Sequence, residues 1–338
     1  MAFILLSRKA YFHNLDIIAQ KVGGVSKIAV VLKDNAYGHG LIEMAELAHE
    51  YGVKDAVVHN VAEAQEIKRY FERILILGGQ EYAVDEKMYF AVNSLSQIEK
   101  MPRGCRVELK VDTGMHRNGV AMDEVEAALA KIIEKGLVLK GVFTHNRSAD
   151  VLSTEWFWQR KNFEKVKSQV LALQAELGFG TPRFHSANSA SAFRFKVFDE
   201  DLVRVGIAAY GCLEMAPTLE QPDLKPVLAL KAKKIATRRI RKGEHIGYNA
   251  TFRAEEETVV STYDVGYADG LQRAASNNYE TPEGEKLFGR ISMDNSSYTG
   301  ERDELLIFDD ANRYAEAAGT IGYEVLAGLH PKIKREVV

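Results

Sequence analysis

The chain has 338 residues, 46% hydrophobic and 27% charged, with a formal net charge of -3. This is the composition of a soluble globular protein with two domains, or one large barrel with an appendage, and its net charge gives no reason to expect nucleic acid. Two cysteines, Cys105 and Cys212, stand far apart without CxxC spacing, which argues against a disulfide framework or a structural zinc and suits a reducing cytoplasm; no metal is expected. No run is long enough for a membrane span, and Ala2–Leu6, with no basic residue before it, is too short for a secretion signal.

In chain order, Ile28-Ala-Val-Val-Leu32 predicts a parallel strand, because such strands are covered on both faces and read as continuous apolar runs. Lys33 follows at its carboxyl end, and Gly38 and Gly40 flank His39 before the next helical pattern. Strand ends of this polarity are where α/β barrels do chemistry. A partly desolvated amine there can form a Schiff base with a carbonyl; a lysine that snorkels into solvent is the competing reading. Strand-like runs at 27–33, 56–59, 73–77, 88–92, 106–111, 138–144, 183–187 and 202–207 alternate with helical patterns. Eight such units predict a closed (β/α)8 barrel rather than a doubly wound sheet, since no GxGxxG follows the first strand. Two helices are well marked. One carries Val125, Leu129, Ile132 and Ile133 on one face and stops at Gly136; the other carries Phe163, Val166, Val170, Leu173 and Leu177, with Ser153 or Thr154 as cap and Gly178 as stop.

Pro217, Pro222 and Pro226 mark a linker. Beyond it, short runs at Val227–Ala232, Thr258–Thr262, Phe288–Ile291 and Glu304–Phe308 predict a smaller β-rich domain. The expected organisation is therefore α/β: a TIM-type (β/α)8 barrel over 1–220, followed by a mostly-β C-terminal domain over 221–338.

Lys33-Asp-Asn-Ala-Tyr-Gly-His-Gly40 resembles the pyridoxal-phosphate attachment motif of alanine racemases, and further motifs of that family follow in order as far as Tyr323. The family's barrel followed by a β domain agrees with the pattern above. The resemblance implies that Lys33 holds the cofactor's aldehyde, and that Tyr37, Asn188, Ser189, the Gly206-Ile207 backbone and Tyr323 hold its phosphate. Taken alone, Asn188-Ser189 is also a helix cap and Gly206 a strand bend. Arg204 matches the arginine facing the pyridine nitrogen, where a permanent cation donates a hydrogen bond and leaves that nitrogen unprotonated. His145 matches the histidine on the ring face.

Racemisation needs a proton removed from one face of Cα and returned to the other, which two opposed bases achieve. The resemblance assigns these to Lys33 and to Tyr248 from the second subunit of a head-to-tail homodimer with shared sites. A free tyrosine keeps its proton to a pKa of ~10, so this one needs cationic neighbours. Arg117 is implied in substrate carboxylate binding and the Met293 backbone N–H in the same task, with Tyr267 and Asp294 at the entrance. Lys110 matches a lysine that is often carbamylated; a free lysine paired with Asp112 is the other reading. Asn146, His116 and Asn249 depart from residues common in the family.

These features predict a pyridoxal-phosphate alanine racemase that supplies D-alanine for peptidoglycan. A serine or broad-specificity racemase remains open. A pyridoxal-phosphate decarboxylase generally places an acidic residue, not Arg204, at the ring nitrogen. The domain bearing Tyr248 counts against a non-catalytic pyridoxal-phosphate-binding protein built on the barrel alone.

Overall fold

A computed structural model describes residues 2–338. The first strand, β1 (Phe3–Leu6), leads through the helix Arg8–Val22 into eight strands of one parallel sheet. These are β2 (Ile28–Val31), β3 (Asp55–Val58), β4 (Arg73–Ile76), β5 (Met88–Val92), β6 (Arg106–Lys110), β7 (Val138–Phe143), β8 (Arg183–His185) and β9 (Val203–Val205). They pair in the order β8-β7-β6-β5-β4-β3-β2-β9. The ring closes where a parallel bridge joins Asn188 to Arg204, whose N–H donates to the Ala187 carbonyl at 3.0 Å.

Successive strand residues point to opposite faces. Val30, Val58 and Ile74 pack outward against the helices in the main core. Ala29, Val31, Val57, Leu75, Ala91 and Phe143 form a separate small core inside the ring. The helix Val125–Glu134 has the expected apolar face. The longer one, Glu155–Leu177, ends at left-handed Gly178, but Thr154 adopts helical angles and caps nothing, and the Ser153 hydroxyl is buried without a partner. Buried Trp156 anchors the first turn of this helix, and buried Phe163 its next turns.

The remaining strands are β10 (Leu228–Ile240), the pair β11 (His245–Ile246) and β12 (Phe252–Arg253), then β13 (Thr258–Tyr263), β14 (Ser296–Thr299), β15 (Glu304–Phe308) and β16 (Lys334–Val337). The second sheet runs β14-β13-β10-β1-β16, with β15 also on β10, so the first and last strands of the chain lie side by side in it. The expected strand at Phe288–Ile291 is absent. Gly289 turns left-handed there (φ 76°) and donates its N–H to Asn277, which takes the run out of the ladder. Two short helices, Ala311–Ala318 and Gly322–Ala327, follow β15 within this otherwise β-rich domain.

Directly after Lys33 the backbone winds the wrong way. Asp34, Asn35 and Ala36 have φ/ψ of 55/54°, 55/43° and 52/50°, and Tyr37 has φ 52°. This is a one-turn left-handed helix without glycine, a conformation that costs about 1–2 kcal/mol per residue. Asp and Asn tolerate it best, and the Asn35 carboxamide stabilises the exit by accepting the Leu41 N–H at 2.9 Å. The His39 ring lies within 3.1 Å of the Ala36 carbonyl and 3.0 Å of that of Tyr37.

Candidate active site

The alternation that sends Ala29 and Val31 inward continues to Lys33, that of β6 aligns Glu108 with Lys110, and that of β7 aligns Phe143 with His145. The site residues are thus the inward positions just above the ring's own core, at its carboxyl mouth. His145 gauges their convergence: burial, then the positive charges of Arg204, Lys110, Arg117 and Lys33, push its pKa down to about 3. His145 is a neutral ring amid four cations carried by β2, β6 and β9 and the loops that follow them.

Arg204 is buried and held on one side entirely by acceptors. Its Nη2 donates to the Thr144 carbonyl (2.7 Å) and the Ser186 carbonyl (3.3 Å), and its Nη1 to the His185 carbonyl (3.2 Å) and the His185 ring Nδ1. His185 Nε2 lies 2.8 Å from Glu108 Oε2. Arg183 and His185 hold the Glu108 carboxyl down to about 2 despite its burial, so it only accepts. The His185 proton therefore sits on Nε2, leaving Nδ1 as the acceptor for Arg204. The chain continues inside the ring: Arg183 joins Glu108 (Nε to Oε1, 2.7 Å) to Asp55 (2.6 Å), and Asp55 takes Arg73 through both oxygens at 2.8 and 2.6 Å.

Tyr37, Ser189 and Gly206 form a cradle beside the left-handed turn. Ser189 Oγ accepts the N–H groups of Gly206 (3.1 Å) and Ala208 (3.2 Å). A Cβ on Gly206 would lie 2.7 Å from the Tyr37 hydroxyl, so only glycine keeps this space open. Burial and the nearby Asp34 push Tyr37 up to about 12, so its hydroxyl remains a donor. Tyr323 lies 6.0 Å from Tyr37, ring to ring, and burial raises its pKa as well. The Asn188 side chain is engaged as a cap: Oδ1 accepts the Ser191 N–H (2.9 Å) and Nδ2 donates to the Asn146 carbonyl (3.2 Å). Ile207 is buried directly after Gly206.

Lys110 is buried, and burial together with Arg117 and Arg204 pulls its pKa down to about 8. Its amine donates to Asn118 Oδ1 and forms no ion pair with Asp112, whose carboxylate instead accepts the Gly114 N–H (2.8 Å) and the His116 N–H (3.1 Å). Arg117 is exposed at the rim. The three departures have local reasons or partners. His116 and Asn249 sit at φ 53° and 60°, where a smaller residue or an asparagine fits. Asn146 is buried and donates to Ser191 Oγ at 3.0 Å.

Tyr248, Tyr267 and Met293 remain apart from this mouth within the single chain, being 64%, 44% and 55% exposed. Tyr248 follows β11 on a turn. The Tyr267 N–H donates to the Ser292 carbonyl (3.0 Å) and the Ala268 N–H to that of Met293 (2.9 Å), so these two motifs form one surface. Asp294 borders an adjacent groove of about 910 Å³ with Asp269 and His330.

The family model described as alanine racemase, N-terminal domain, matches residues 6–214, and that for the C-terminal domain matches 227–337. An alanine racemase of Nitratiruptor sp. is 44% identical over 99% of both chains, and one of Campylobacter curvus is 43% identical over 100% of both. The chain belongs to the alanine racemase family. A solved alanine racemase from Clostridium difficile superposes with a TM-score of 0.89 at 26% identity, covering 100% of this chain and 95% of that one. Alanine racemases are pyridoxal-phosphate-dependent isomerases. The mouth fits that cofactor: the glycine-floored cradle offers the Tyr37 and Ser189 hydroxyls as donors for a phosphate, and Arg204 is a fixed cation on β9, which pairs with the β2 strand that leads to Lys33.

Several residues that shape the site lie outside the recognisable motifs. Ala208 supplies a second cradle N–H, and Asn118 holds Lys110. Tyr210 stacks on His39 at 4.2 Å and donates to the Val31 carbonyl at 2.8 Å. Glu108 and His185 set Arg204. The available signal was polarity: Glu108 and Lys110 are charged residues that alternate with apolar Val107 and Leu109 in β6.

Proposed function

We propose that Lys33 and Tyr248 of a second copy of the chain are the two bases that interconvert L- and D-alanine. The barrel, expected over 1–220 but without β1, which joins the second sheet, supplies the cofactor mouth, and the C-terminal domain (221–338) supplies the opposing base. The product would serve peptidoglycan synthesis in the cytoplasm. The observation that carries this reading is the division of the site: Lys33, Lys110, Arg117 and Arg204 converge on His145, while Tyr248, Tyr267 and Met293 lie exposed on a separate surface of the same chain. A neighbouring copy presenting that surface would complete the mouth.

Pyridoxal phosphate, when bound, withdraws electrons from the substrate's Cα and so makes its proton removable. In this reading Tyr37, Asn188, Ser189, Tyr323 and the backbone of Gly206 and Ile207 hold the phosphate, and Asn188 acts mainly by capping Ser189. His145 supports the ring face. Arg204 donates to the ring nitrogen and keeps it unprotonated, which favours prompt return of the proton to Cα. Arg117 and the Met293 N–H bind the substrate carboxylate. Lys33 handles the proton on the D face and the partner's Tyr248 on the L face. Lys110 becomes carbamylated: its lowered pKa enlarges the share of the neutral amine that CO2 requires, and the Asp112 carboxylate is turned to backbone N–H groups rather than paired with it. Tyr267 and Asp294 line the entrance.

Mixed dimers test the sharing. Lys33→Ala and Tyr248→Phe proteins are each expected to be nearly inactive. After subunit exchange, half the dimers are mixed and each has one intact site, so activity should return to about a quarter of wild type. No recovery, with exchange verified by mass spectrometry, would contradict the shared site.

A further inference from the structure

The left-handed turn that follows Lys33 is closed from outside the barrel. The Gly38 carbonyl at its end accepts two bonds from the Arg335 guanidinium in β16, from Nε at 3.0 Å and Nη2 at 2.8 Å. The other donor contacts of Arg335 also go to backbone carbonyls: Pro331 (2.9 Å) and Ile333 (2.6 Å) from Nη1, and His330 (3.4 Å) from Nη2. All but Gly38 belong to its own segment. Arg335 is thus wired into the last strand, with one carbonyl 297 residues away as its reach into the barrel.

A second contact meets the turn at the same glycine. A Cβ at Gly38 (φ 75°) would collide with the Leu326 carbonyl, in the helix that also carries Tyr323. A Cβ at Gly40 would lie 2.7 Å from Arg335 Cδ. The C-terminal segment therefore presses on the turn from two elements, and the turn needs external support because four non-glycine residues in it are left-handed. A lysine cannot replace the guanidinium, since a single ammonium cannot fork onto Gly38 and span the carbonyls of 331 and 333 together.

We propose that Arg335 is a positioning residue for Lys33 and Tyr37: it transmits the docking of β16 into the left-handed turn and so fixes the lysine relative to the cofactor cradle. The inference rests on the reading of Lys33 as the cofactor-bearing base, but its mechanical half stands separately.

Hydrogen exchange on the full chain, with and without pyridoxal phosphate, tests it. In wild type under increasing sub-denaturing urea, the amides of Ala36 to Leu41 should open together with those of Lys334 to Val337. In Arg335→Lys the turn amides should exchange tenfold faster or more while β7 amides are unchanged, and pyridoxal phosphate, followed by its absorbance, should bind at least tenfold more weakly. Wild-type protection of the turn in both Arg335→Lys and Arg335→Met, with β16 alone loosened, would overturn the proposal. If neither variant folds, wild type decides: a turn that opens at lower urea than β16 also overturns it. A loosened turn in Arg335→Lys, in a protein that binds no pyridoxal phosphate even as wild type, supports the mechanical coupling and contradicts only the cofactor reading.

Discussion

Lys110 shows how burial changes the chemistry available to one side chain. Its pKa of about 8 lies well below the ordinary lysine value of ~10.4. The sign follows: folding disfavours the charged amine, so Lys110 weakens the native state below about pH 8, and that cost fades as pH rises towards the unfolded value. Carbamylation draws on the neutral amine. With 13C-labelled CO2 held at constant dissolved concentration, the Lys110 carbamate signal should appear at lower pH than that of free lysine and vanish in Lys110→Ala. Appearance at the pH of free lysine, or no signal in wild type, would contradict this reading. The motif Lys110-Val-Asp-Thr-Gly-Met-His-Arg117 was legible in the sequence, but its bonding was not. Asp112 spends its carboxylate on the amides of the turn that follows it, and Asn118 takes the lysine in its place.

Among the elements, the barrel strands were the most legible part. Apolar runs located all eight, because strands buried on both faces are continuous in hydrophobicity. The same continuity hides which residues face inward, and the inward faces build the site. Glu108, Arg183, His185 and Arg204 form a hydrogen-bonded ladder across β6, β8 and β9 that no single strand reveals. The left-handed turn was equally hidden. Asp34 and Asn35 tolerate such angles, but Ala36 and Tyr37 give no sign of them, and the support comes from the far end of the chain. The ladder has an energetic consequence. Glu108 is fully buried between two partners, so Glu108→Gln removes the charge that balances Arg183 and should cost about 3–5 kcal/mol. Breaking the exposed Arg8–Glu50 pair should cost at most ~1 kcal/mol. Urea unfolding monitored by circular dichroism compares the two. Equal losses would show that the ladder does not carry the charge balance described here.

At the scale of the whole molecule, the sequence disclosed a barrel followed by strands, but not that β1 lies between β10 and β16 in the second sheet. Pairing between residues more than 200 positions apart leaves no local trace in composition or period. That sheet binds the two ends of the chain together and aims Arg335 at the turn beside Lys33. It also sits among the strands that present Tyr248, Tyr267 and Met293 outward. Among the described residues no helix is long and apolar enough to cross a membrane. In the proposed reading, two faces of one chain, a cationic barrel mouth and an exposed tyrosine surface, act on opposite sides of one carbon. Proton exchange at Cα in deuterated water, followed by NMR for each enantiomer of alanine with the Tyr248→Phe protein, tests this most directly. Interconversion should fall by about 10²-fold or more. D-alanine should still exchange its Cα proton through Lys33, and L-alanine should not. Exchange of both enantiomers at the wild-type rate would contradict the assignment of Tyr248 as the second base.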